Sequence, residues 1–104
     1  MKIRVLSCAE REFAEVVDHY NGERPGLGYE FAKEVQSAFD RIRSFPEAWP
    51  LYSGRARRCI VSRFPYGILY QIRPDRILVV AVMHLKRDPV TWRERAGEWY
   101  VVCP

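Results

Sequence analysis

Residues 2–6, Lys-Ile-Arg-Val-Leu, alternate polar with apolar side chains, the pattern of a short half-buried strand. From residue 9 the period lengthens. Ala9, Phe13, Val16, Val17 and Tyr20 recur at helical spacing and make one apolar stripe. Ser7-Cys8-Ala9-Glu10 has the spacing of a capping box, in which Ser7 bonds an early helix N–H and Glu10 reaches back. Asn21-Gly22 supplies residues that tolerate a left-handed backbone at a helix end. After a tight connection at Pro25-Gly26-Leu27-Gly28, a second stripe runs through Leu27, Phe31, Val35, Ala38, Phe39, Ile42 and Phe45, and Pro46 stops it. Two amphipathic helices joined by so few residues predict an antiparallel helical hairpin that needs something else to cover its stripes.

Residues 46–56 read as a loop with aromatic anchors. The period then falls to 2. Residues 57–64 suit a strand and 66–72 another, with Tyr66, Ile68, Tyr70 and Ile72 on one face. Arg73-Pro74-Asp75-Arg76 carries turn chemistry. Residues 77–84 are apolar at nearly every position, as in a central strand covered on both faces. Asp88-Pro89 interrupts; 90–96 suit a short helix or an extended arm, and the tail 96–104 is assigned no element. The order β-α-α-β-β-β predicts an α+β fold. The helical hairpin lies on one face of a small antiparallel-type sheet, the other face is open, and a C-terminal extension follows. A single domain over residues 1–104, with a core at about 2–95, fits the 104-residue length. Phe13, Val35, Phe39, Ile68 and Val80 are the expected core positions.

Composition removes several classes. The longest uncharged apolar run, residues 77–83, is far short of the roughly 20 needed to span a bilayer. The first residues carry no apolar signal-peptide core. Cys8, Cys59 and Cys103 are an odd, widely spaced set that gives neither a fully paired disulfide framework nor a Cys-x-x-Cys zinc site. A small cytoplasmic domain is expected. Its net charge of +4 is unevenly spread. Residues 1–54 hold seven Lys/Arg and nine Asp/Glu, whereas residues 55–104 hold ten and four. Such asymmetry hints at a polyanionic partner, and nine of the ten late cations are Arg, suited to bidentate recognition of phosphate or carboxylate.

Catalytic signatures are sparse. His19 and His84 fall on different elements, and no glycine-rich phosphate loop or clustered ligand set accompanies them, so neither a metal nor a cofactor is expected. The constellation of interest is His84, Lys86 and Arg87 at the end of the most apolar strand, with Arg57 and Arg58 on a neighbouring strand. Cations so placed clamp a phosphodiester and stabilise charge during cleavage, while His84, Tyr66 or Tyr70 moves protons. The purely structural account gives His84 a loop hydrogen bond, puts the tyrosines at the core edge and pairs Arg87 with Asp88.

Taken in order, the motifs resemble the RelE/ParE superfamily of bacterial type II toxins, often described as plasmid-stabilisation proteins. The matching stretches are Ala9-Glu10-x-Glu12-Phe13, Pro25-Gly26-Leu27-Gly28-x-x-Phe31, Phe45-Pro46 with Trp49-Pro50, and Arg57-Arg58. Phe64-Pro65-Tyr66-Gly67-Ile68-x-Tyr70 and Val82-x-His84-x-x-Arg87-Asp88-Pro89-x-x-Trp92 complete them. The resemblance implies a growth-inhibiting toxin neutralised by a cognate antitoxin, which supplies the contact with operator DNA. Members divide between ribosome-dependent mRNA interferases and ParE-type inhibitors of DNA gyrase. Ribonuclease members commonly carry Arg after the aromatic of the middle strand, where this chain has Gly67. That departure points to the ParE type. An mRNA interferase using His84, Lys86, Arg87 and Tyr66 without metal is the alternative, and a non-toxic relic or interaction module is the second. The partner or nucleic-acid surface is expected at Arg57, Arg58, Arg63, Lys86 and Arg87.

Overall fold

A strand apolar at nearly every position belongs inside a sheet, and β5 (Arg76–His84) lies second from one edge of five strands. The computed structural model describes residues 2–86. Before β5 come β1 (Lys2–Val5), α1 (Ser7–Glu23), α2 (Leu27–Ser44), β2 (Leu51–Ser53), β3 (Ala56–Ile60) and β4 (Tyr66–Ile72). The sheet order is β1-β5-β4-β3-β2. β2 through β5 form an antiparallel meander, and β1 joins β5 in parallel, so the sheet is mixed. A parallel neighbour requires a long crossover, which the helices and the meander provide.

The helical hairpin covers one face. Phe31, Val35, Ala38 and Ile42 of α2 are buried with Ala9 of α1 against Ile68, Tyr70, Ile77 and Val79 of the sheet. The expected core residues Val35, Ile68 and Val80 are buried, while Phe13 and Phe39 are partly buried against the same core. Phe45 is 67% exposed because α2 ends before it. The other face is not open as the sequence suggested. Ala56, Leu69, Leu78, Val80, Ala81 and Met83 form a second buried cluster there, with Leu6 and Tyr52 packed against it. A strand as apolar as β5 loses too much by leaving one face in water.

Local details depart from the sequence reading for identifiable reasons. Ser7 does not cap α1: Leu6 holds the cap position, with no side-chain cap bond. The sheet sets that position, because Leu6 N–H donates to Val79 O at 3.0 Å while Leu6 O accepts Glu10 N–H. α1 also runs through Asn21-Gly22 to Glu23. Asn21 serves the hairpin instead, its Oδ1 accepting Gly28 N–H at 2.8 Å. Gly26 enters α2 at φ 88°, a conformation that favours glycine. The 46–56 segment contains β2, and the 57–64 strand ends at Ile60. The expected elements over 90–96 and the tail 96–104 lie outside the described residues.

Tyr70 anchors the loop after α2 through its hydroxyl, which donates to Pro46 O. Burial, partly offset by Arg57, pushes the Tyr70 phenol up to about 12. An acid whose folded pKa is raised keeps its proton after the unfolded chain has lost it, so the stabilising contribution is complete below the unfolded value of 10.0. Stability should therefore fall as pH rises from 10.0 towards about 12, by up to about 1.4 kcal/mol per pH unit. Denaturant titrations across that window should show a smaller alkaline loss in Tyr70→Phe. An equal loss would assign the effect elsewhere.

Candidate functional site

Three of the cations singled out in the sequence, Arg57, Arg58 and Arg63, do not converge. Arg57 and Arg58 are successive residues of β3, so their side chains leave opposite faces of the sheet. Arg57 Nη1 donates to Trp49 O at 2.6 Å and Glu47 O at 3.3 Å, holding the loop before β2. The Arg58 guanidinium carbon lies 4.5 Å from the Tyr52 ring centroid, a cation–π contact. Its stem crosses Gly67: a Cβ there would lie 3.0 Å from both Cγ and Cδ of Arg58. The missing side chain at residue 67 is therefore what admits Arg58.

Arg63 sits in the turn after β3 with φ 72°. Its guanidinium reaches α2, pairing with Glu30 at 2.7 Å and Glu34 at 3.3 Å. The hydrogen bond from Arg63 lowers the Glu30 pKa, and the bonds to Glu30 and Glu34 raise that of Arg63. Arg63 and Glu30 are exposed and Glu34 is half-buried, so the triad sets the turn's orientation more than its stability.

Tyr66 and His84 do come together. They are register partners on β4 and β5, with ring centroids 5.2 Å apart and planes at 79°. This pairing depends on a bulge. Ile72, Gln71 and Tyr70 face Ile77, Leu78 and Val79, but Leu69 faces Ala81, leaving Val80 as the extra residue. Without it Tyr66 would face Met83; with it the partner is His84. His84 Nδ1 accepts Lys86 N–H at 3.2 Å, the local bond of the structural account. Arg87 lies outside the described residues.

The two rings line a cleft of about 190 Å³ with Glu12, Glu15, Val16, His19 and Val82. His19 and His84, apart in sequence, thus share one cleft because α1 packs on β5. Glu12 supports that packing, its Oε1 accepting Val82 N–H at 3.1 Å. Sequence reasoning missed Glu12, Glu15 and His19 as cleft residues. Their i, i+3 and i+7 spacing marks one helix face, but only the sheet register shows what that face meets. His19 Nε2 lies 3.2 Å from Glu23. Among the described residues no group of three or more His, Cys, Asp or Glu is arranged to hold a metal ion. No helix among them is long and apolar enough to cross a membrane.

A helical hairpin packed on a mixed five-stranded sheet is the fold expected of a RelE/ParE superfamily toxin. The sequence model of the ParE toxin of the type II toxin–antitoxin system parDE matches residues 3–89. The chain belongs to that family. Among solved structures, a chain of the chromosomal ParDE system from P. aeruginosa superposes with a TM-score of 0.72 at 12% identity. The match covers 81% of this chain and 95% of that one, a likeness of fold. No curated protein matches the sequence.

Proposed function

We propose that this toxin arrests growth by binding an essential target such as DNA gyrase, and that a cognate antitoxin neutralises it. The observation that carries this reading is the dispersal of the cations around Gly67. Arg57 is bonded to two loop carbonyls, Arg58 is stacked on Tyr52, and Arg63 is paired with two carboxylates of α2. A phosphodiester clamp needs preorganised donors aimed at one point, and these three aim at three. Their arrangement supports binding without chemistry. The positive half of the chain suits an acidic antitoxin segment that orders as it binds.

Induction of the toxin without antitoxin should stop DNA replication and raise DNA-damage signalling while labelled amino acids continue to enter protein. Rapid collapse of protein synthesis with cut messages would overturn this reading in favour of a ribosome-dependent mRNA interferase. The perpendicular Tyr66–His84 pair beside Lys86 favours that second reading. It would make His84→Ala and Lys86→Ala variants folded, antitoxin-binding and non-toxic. Harmless expression of folded protein would instead identify a relic or interaction module.

A further inference from the structure

The sheet gathers cations at the end opposite Tyr66 and His84. Lys2 begins β1, Arg55 lies in the turn between β2 and β3, and Arg73 and Arg76 flank the turn between β4 and β5. Lys2 and Arg76 are register partners. Arg4, two residues along β1, shares their sheet face. Lys2, Arg4 and Arg76 line a shallow hollow of about 690 Å³ with Ser7, Asp75 and the apolar Val5, Leu6 and Leu78. Asp75 is its one carboxylate among those lining residues and pairs with Arg76 at 3.1 Å. Like charges directly opposite one another weaken a sheet, so stability alone does not account for Lys2 beside Arg76. The crowding is felt at Arg73, whose pKa is lowered by burial and then by Arg55 and Arg76.

We propose that this end of the sheet, formed by Lys2, Arg4, Arg55, Arg73 and Arg76, docks the phosphate backbone of a nucleic-acid duplex.

Three observations choose the duplex over other polyanions. Protein interfaces are anchored by a few large apolar or aromatic side chains. The exposed large hydrophobics among the described residues are Tyr29, Phe45, Leu51 and Ile60, and none lines the hollow. Single strands are held by stacking bases on aromatic side chains, and no aromatic residue lines it either. The charge is carried mostly by Arg, whose planar fork suits phosphate oxygens. Arg73 Nε and Nη2 already donate to Gln71 Oε1 at 3.0 and 2.6 Å, so Lys2, Arg4 and Arg76, which line the hollow, make the principal contacts. Backbone contacts of this kind position a protein on a duplex without reading its sequence. The surface lies at the far end of the sheet from Tyr66 and His84.

The test uses the full chain and a short fluorescent DNA duplex, with anisotropy read between about 50 and 200 mM salt. Affinity should fall steeply with salt. In the triple variant Lys2→Ala/Arg4→Ala/Arg76→Ala, the slope of log K against log salt should become shallower by about 0.9 for each lost phosphate contact. A control variant removes the same charge from the helices, Arg11→Ala/Lys33→Ala/Arg43→Ala, and should keep the wild-type slope. Circular dichroism and the thermal midpoint verify folding of both. The proposal is overturned if the wild type does not bind at low salt or if both variants lose slope equally. It is also overturned if the single strand binds as tightly as the duplex, or if poly-glutamate of matched charge competes as well as DNA.

Discussion

Replacing Phe31 by Ala should lower stability by about 3–5 kcal/mol, the usual range for deleting a buried aromatic ring. Phe31 is fully buried where the helical hairpin meets the sheet. Its ring lies 6.0 Å from Phe13, 5.7 Å from Tyr20, 5.2 Å from Phe64 and 5.4 Å from Tyr66, centroid to centroid. These neighbours come from α1, the turn after β3 and the start of β4, so no single element can move to close the cavity. Against a typical total of about 5–15 kcal/mol, a loss of this size leaves a marginal protein. Denaturant unfolding should show an earlier midpoint at nearly unchanged slope. A loss below about 1 kcal/mol would mean that the aromatic cluster repacks around the gap. Any fall in toxicity here should be matched by a fall in antitoxin binding, unlike loss of a contact with the target alone.

The elements legible in the sequence are those whose pattern repeats. The stripes of α1 and α2 span several turns, and β4 and β5 are long enough for periodicity to speak. β2 has three residues and a register shift against β3, too short for any period. The Ser7 cap failed because a contact distant in sequence, Leu6 N–H to Val79 O, outweighed a local motif. The second buried face was half legible: the composition of residues 77–84 required a cover on both sides, and the α+β reading left one side open. The strand's composition was the better guide.

The site was less legible because it depends on register and on side-chain direction. Sequence order put His84 at the end of the last described strand but could not pair it with Tyr66. Counting back from the Arg73–Arg76 turn gives Met83 as the partner, and one extra residue at Val80 changes the answer. Adjacent Arg57 and Arg58 read as one patch, whereas strand alternation sends them to opposite faces. Gly67 read as a missing clamp. In the fold it is the space through which Arg58 crosses to Tyr52. Charge asymmetry between the halves was real, but it does not follow the fold: Lys2 and Arg4, from the half counted as acidic, line one hollow with Arg76 of the basic half.

Two glycine-to-alanine substitutions on the helical hairpin should change stability in opposite directions. Gly22→Ala lies within α1, where an added Cβ meets nothing within 4 Å. There the lower entropy of the unfolded chain and the better helix propensity of Ala should raise stability by up to about 1 kcal/mol. Gly28→Ala has the same propensity advantage in α2, but its Cβ would lie 2.2 Å from Val17 O and 2.8 Å from Asn21 Cγ and Oδ1. The first obstacle is backbone, so α1 and α2 must separate. That movement strains the Asn21–Gly28 bond, worth about 1 kcal/mol, and loosens the packing around it, where overpacking costs about 1–3 kcal/mol. The penalty exceeds the propensity gain. Gly28→Ala should therefore lower stability by about 1–3 kcal/mol, read from the denaturant midpoint beside that of Gly22→Ala. Equal, favourable shifts at both positions would mean that the two helices do not meet at Gly28 as closely as this geometry requires.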